Sequence, residues 1–179
     1  EMCIRDRNIH ATFFVSMKDI QNSKKTIDKI VKEGHELQIL LLDSNGRTYT
    51  EVATTILKIK DFIDETYQQN ANLVRYAYDV DYEKEVLEAI SATNCQVIGQ
   101  SVSVAISKVE KDASADEILE VISHQGHLVA TRGYIAHFRM DYYENPTVIA
   151  KVLEMIKEEK VDTIGYLDEG ICLLYTSPS

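Results

Sequence analysis

Reactive side chains in this chain gather just beyond apolar runs. Ser16 follows NIHATFFV, Asp43 and Ser44 follow ELQILLL, Arg75 and Tyr78 lie in NLVRYAY, Ser101 and Ser103 come after CQVIG, and Arg132 ends HLVATR. An aspartate so placed can serve as a general base, and an arginine can hold a carboxylate through two parallel N–H bonds. The connection GYIAHFRMDYYEN adds His137 beside Arg139, Asp141, Tyr142, Tyr143 and Glu144. Connections of this length are often functional. Each group also has a structural reading. Asp43 fits a turn, Asp79 and Asp81 fit a turn and a helix cap, and Arg75 fits a structural ion pair. His124 and His127 are three apart, but Gln125-Gly126 breaks the helix between them, so they do not form a metal-binding imidazole pair on one face.

The elements that must position these groups alternate along the chain. NIHATFFV reads as a strand. A helix follows from Met17 to Gly34, with Ile20, Ile27, Ile30 and Val31 on one face and Gly34 suited to the position just past its end. ELQILLL is the next strand. Thr48 and Glu51 have capping-box spacing and open a long helix through Val52, Ile56, Ile59, Phe62 and Ile63. NLVRYAY is a third strand, Asp81 caps the helix YEKEVLEAISATN, and CQVIGQSV is a fourth strand. Ser114 and Glu117 box the start of the helix to Gln125, and HLVATR is a fifth strand. Asn145 as cap and Pro146 as first residue open TVIAKVLEMIKEEK, and DTIGYLDE closes the series.

Strands that are continuous apolar runs suit a parallel sheet covered on both faces. The alternation leaves two architectures open, a doubly wound sheet and a (β/α) barrel, and both place function at the C-terminal strand ends. SMKDIQ follows the first strand where a nucleotide-binding fold would carry a Gly-rich loop. The net charge of −10 argues against a nucleic-acid partner or an anionic membrane surface. No apolar run is long enough to span a bilayer.

The end segments read differently. EMCIRDR (1–7) and CLLYTSPS (172–179) resemble translated sequencing-adapter read-through left on assembled metagenomic fragments, and neither continues its neighbour's pattern. Setting them aside leaves one domain, 8–171, with Cys95 as its lone cysteine and Pro146 as its lone proline. Cys95 lies in a strand-like run and reads as a buried small hydrophobe.

Ala11-Thr12-Phe13-Phe14-Val15, a helix, and then Gly34-His35-Glu36-Leu37 resemble the polysaccharide deacetylase family in motif and spacing. LVRYAYD resembles that family's Arg-x-Pro-Tyr segment, with Ala77 in place of the proline. SADEILEVISHQGHLVA and VDTIGYLDE resemble its late strands. The resemblance implies an α/β fold, a deformed (β/α) barrel, here expected to lack its first strand and the Asp-Asp-Gly motif on it. It implies zinc or another divalent metal held by one Asp and two His, which hydrolyses an acetyl group on a sugar polymer.

Mapped onto this chain, the two imidazole positions are Leu40 and Ser44, and the late histidine falls at Arg132. His35 serves the turn before its strand. The implied protein is a non-catalytic homologue with a degenerate metal site and no cofactor. It would bind a chitooligosaccharide or peptidoglycan-like glycan, or a protein partner, in a cleft lined by Ser44, Arg75, Tyr78, Ser103, Arg132 and Tyr134. Tyr134, Phe138, Tyr142 and Tyr143 are candidates to stack on sugar rings. The alternative is an active carbohydrate deacetylase that uses Asp43, Arg75 and His137 with a divalent metal. The family habit places either outside the membrane or in the cell wall.

Overall fold

A computed structural model of the chain describes residues 11–42, 48–76, 83–98, 102–103, 109–125, 136–137, 142–145, 147–158, 161–163 and 175–176. The chain divides into two compact units, Thr12–Gly99 and Gln100–Ser179 with Glu1–Ala11.

The first unit is a parallel sheet with helices. It comprises β1 (Thr12–Val15), α1 (Met17–Asn22), α2 (Lys24–Lys32), β2 (Glu36–Leu41), α3 (Tyr49–Tyr67), β3 (Leu73–Tyr76), α4 (Lys84–Ala92) and β4 (Gln96–Val97). The strands lie side by side in chain order, β1-β2-β3-β4, all parallel. That is the progression in which a (β/α) barrel is laid down, and these four strands show none of the order reversal of a doubly wound sheet.

Local chemistry explains most element ends. Ser16 caps α1 through a capping box with Asp19, and Thr48 caps α3 through one with Glu51. After α2 the Gly34 N–H reaches the Val31 carbonyl and the His35 N–H reaches the Ile30 carbonyl, the Schellman pattern, with Gly34 at φ +91°. Asn94 repeats it after α4 at φ 57°. Other ends depart from expectation. The helix expected over 17–34 breaks at Ser23, whose N–H closes α1 on the Asp19 carbonyl while its own carbonyl accepts from Thr26 and Ile27 to open α2. Helix α4 starts at Lys84 behind Glu83, without a side-chain cap, and Asp81 lies outside the described residues. The Tyr49 N–H at the start of α3 finds its acceptor on the next helix, Glu85 Oε1, at 3.1 Å.

The core lies on one sheet face. Val15, Leu37, Ile39, Leu41, Val74 and Tyr76 pack with Ile27 of α2, Val52, Ile56, Ile59 and Ile63 of α3, and Val86, Ala89 and Ile90 of α4. Cys95 is buried in the same cluster. Because strand side chains alternate, Thr12, Phe14, Glu36, Gln38, Leu40, Leu73 and Arg75 occupy the other face.

The second unit contains β5 (Val102–Ser103), α5 (Ala115–Gln125), β6 (Ala136–His137), α6 (Thr147–Glu158), β7 (Val161–Thr163) and β8 (Tyr175–Thr176). β5 and β6 pair in parallel, and β7 and β8 pair antiparallel. The strand expected over 95–102 is two short strands, β4 and β5, in different sheets. The connection expected over 133–145 contains strand β6. The strand expected at 127–132 lies outside the described residues. Ser114 and Glu117 form the expected box at α5, and the Asn145 Oδ1 accepts from the Thr147 N–H at the start of α6.

Candidate functional site

The C-terminal ends of β2 and β3 bring two of the sequence-predicted positions together. Leu40 and Arg75 are register partners on neighbouring parallel strands, and they share the sheet face opposite the helices. Leu40 is half-buried. Arg75 is 6% exposed, and its Nε donates to the Tyr76 carbonyl at 3.5 Å. A buried guanidinium keeps its charge and can act only as a donor, so Leu40 stands beside a donor group and offers none of its own. An aliphatic side chain has no lone pair for a cation, so the residue at Leu40 does not fit a zinc ligand. Among the described residues no group of three or more His, Cys, Asp or Glu side chains could hold a metal ion.

The same face carries a polar network nearer the N-terminal strand ends, and the sequence reading missed it. Thr12 Oγ1 donates to Glu36 Oε2 at 2.8 Å, and Gln38 Nε2 donates to Glu36 Oε1. Glu36 is 8% and Gln38 0% exposed. Burial of such groups is tolerated because each is hydrogen-bonded. The only trace of this in the sequence is Glu36 and Gln38, two polar residues at alternate positions of an otherwise apolar strand.

The remaining expected residues divide as follows. Ser103 and His137 are register partners in β5 and β6, so His137 stands in a strand and not in a loop. Asp43, Ser44, Tyr78, Arg132 and Tyr134 lie outside the described residues. Ser16 is buried, and its hydroxyl is committed to the capping box with Asp19. His35 is buried at the turn before β2, its ring 5.4 Å from that of Phe13.

Tyr142 and Tyr143 do not form an exposed platform. They meet edge to face at 5.3 Å, and the Tyr142 hydroxyl donates to the Val109 carbonyl at 2.6 Å. Tyr143 is 5% exposed, and burial pushes its hydroxyl up to about 12. The pair fixes the 109–111 segment against 142–144, where the Glu144 N–H also meets the Lys111 carbonyl.

Residues 2–98 match the family model for polysaccharide deacetylase. The chain belongs to the polysaccharide deacetylase family. No curated protein sequence matches it. Solved deacetylase structures share the fold across most of the chain. A CE4-family pseudoenzyme from Bacillus anthracis aligns with TM-score 0.68 at 14% identity, over 95% of this chain and 55% of its own. A mutant of that protein is described as having restored enzymatic activity. The peptidoglycan deacetylase PdaC from Bacillus subtilis aligns with TM-score 0.66 at 20% identity, over 88% of this chain and 74% of its own. A family 4 acetyl xylan esterase from Clostridium thermocellum, in complex with a cobalt ion, aligns with TM-score 0.69 at 13% identity, over 98% of this chain and 88% of its own. The chain thus spans little more than half the length of the pseudoenzyme. The chain shares the mixed α/β fold, with its parallel sheet, of these deacetylase structures. No helix among the described residues is long and apolar enough to cross a membrane.

Proposed function

We propose that this deacetylase-family domain has lost its catalytic cation site and binds an acetylated, chitooligosaccharide- or peptidoglycan-like glycan without cleaving it, in the cell envelope. The observation that carries this reading is Leu40. The family's spacing from Gly34 puts an imidazole there, and this chain has a half-buried aliphatic side chain beside the buried Arg75. Ser44, the second such position, offers a hydroxyl, a poor zinc ligand. Arg75, buried on the same face, is the charged side chain beside Leu40. A CE4-family pseudoenzyme is among the solved structures that share the fold, which supports the reading.

Calorimetric titration of the full chain with acetylated chitooligosaccharide, with zinc and then with EDTA, tests the proposal. The expected result is binding that survives EDTA, weakens in Arg75→Ala, and releases no acetate. Metal-dependent acetate release by the unaltered chain would overturn it, as would an absence of binding. Leu40→His with Ser44→His is expected to create zinc affinity that the parent lacks.

The alternative is an active hydrolase with a divergent site that uses Asp43, Arg75 and His137 with a divalent metal, and His137 stands in β6, paired with β5. Acetate release that is abolished both by EDTA and in His137→Ala would select it.

A further inference from the structure

We infer that Gln38 and Gln69 are positioning residues that decide which face of the sheet Arg75 occupies. The need for such residues is visible in the strands. Parallel neighbours have no hairpin to set their register. Ile39, Leu40, Leu41 and Leu42 form an unbroken apolar run, so hydrophobic alternation specifies the register of β2 only weakly. A one-residue slip of β3 would carry Arg75 from the Leu40 face to the helix-covered face.

β3 pairs with β2 only from Ile39 and Val74 onward. Before that point a side chain stands in for the missing strand. Gln69, between α3 and β3, accepts from the Leu37 N–H at 2.8 Å through Oε1 and donates through Nε2 to the His35 carbonyl at 3.1 Å. An N–H and the carbonyl two residues earlier are the two groups that one residue of a parallel neighbour would engage. Gln38 reciprocates from β2. Its Oε1 accepts from the Asn72 N–H at 3.0 Å and the Leu73 N–H at 2.8 Å. Its Nε2 is tied through Glu36 to Thr12. The bonds therefore run from β1 across β2 to the first residue of β3. They fix that residue against Gln38, two positions before Leu40 meets Arg75. The inference concerns geometry, so it stands or falls independently of whether the domain binds a glycan.

Cysteine trapping in the full chain tests it, in a background with Cys3, Cys95 and Cys172 replaced by alanine. Neighbouring strands lie about 5 Å apart, within the Cα range of a disulfide. Leu40→Cys with Arg75→Cys is expected to form an internal bridge under mild oxidation. Adding Gln38→Ala and Gln69→Ala is expected to cut that yield by more than half and to raise it for the slipped pair, Leu40→Cys with Tyr76→Cys. An unchanged pattern would overturn the inference, even if the melting temperature falls. If the double variant does not fold, Gln69→Glu keeps an acceptor for Leu37 but sets an oxygen against the His35 carbonyl. Hydrogen exchange at Leu37, Asn72 and Leu73 is then expected to quicken roughly tenfold, the loss of about one net hydrogen bond. Unaltered exchange at all three would refute the clamp.

Discussion

Ile39 and Leu40 are neighbours on one strand with opposite surroundings. Ile39 is fully buried in the cluster of Ile27, Val52, Ile56 and Ile63, on the helix-covered face. Leu40 is half-buried beside Arg75 on the face that carries Glu36 and Gln38. On the first face burial dictates the residue type, because a core packed at crystal-like density tolerates neither a void nor an unpaired polar group. On the second face the polar residues are buried too, but each is accommodated by hydrogen bonds rather than by volume. A hydrophobe at Leu40 is therefore not demanded by the core. It alters what the site can hold and leaves the sheet intact.

The largest test of this contrast compares two truncations one residue apart. Ile39→Ala is expected to cost about 2–5 kcal/mol in urea unfolding, and Leu40→Ala less than about half of that, since its side chain already meets solvent. Equal losses would break the distinction between the faces. Gln38→Ala comes next. It strands the buried Leu73 N–H, at about 1–3 kcal/mol before relaxation, and the part-buried Asn72 N–H at less, and a neutral result would show that water replaces the amide. Thr48→Ala is a reference outside both faces. Losing the α3 cap should cost about 1 kcal/mol.

The smallest effects are titrations in the second unit. Hydrogen bonds from the Ser114 backbone and hydroxyl hold Glu117 below its ordinary carboxylate value of 4.5. A lowered folded pKa stabilises above the unfolded value and is lost as pH falls through the folded one. Stability should therefore slope down below pH 4.5, and less so in Glu117→Gln. Tyr143 has the opposite sign. Its pKa is raised from 10.0 to about 12, so its contribution is complete below pH 10 and fades as pH approaches 12. Tyr143→Phe should flatten that alkaline limb. Unfolding midpoints across both ranges check the pair.

Much of the fold was legible residue by residue. The boxes at Thr48 and Ser114, the cap at Asn145 and the glycine turn at Gly34 are made within a few residues of chain, so spacing alone reveals them. The apolar stripe of α3 is equally local. The failures share another cause. Ser23 could end or continue a helix, and in the fold its backbone hydrogen bonds end α1 and open α2. The strand read at 95–102 was one apolar run, yet its two ends pair in different sheets. His137 looked like a loop residue because β6 is two residues long and exists through its pairing with β5.

The site was legible to the same extent. The sequence by itself determined that a deacetylase-like strand carries Leu40 where an imidazole would stand, because motif spacing is a property of the chain. It also determined which helix faces are apolar. Only the tertiary structure decided that Arg75 lies beside Leu40, that Glu36 and Gln38 are buried yet satisfied, and that Gln69 fills the gap before β3. Those facts depend on hydrogen bonds between residues 24 to 35 positions apart. Whether such bonds form depends on the register of parallel strands, which no local preference encodes.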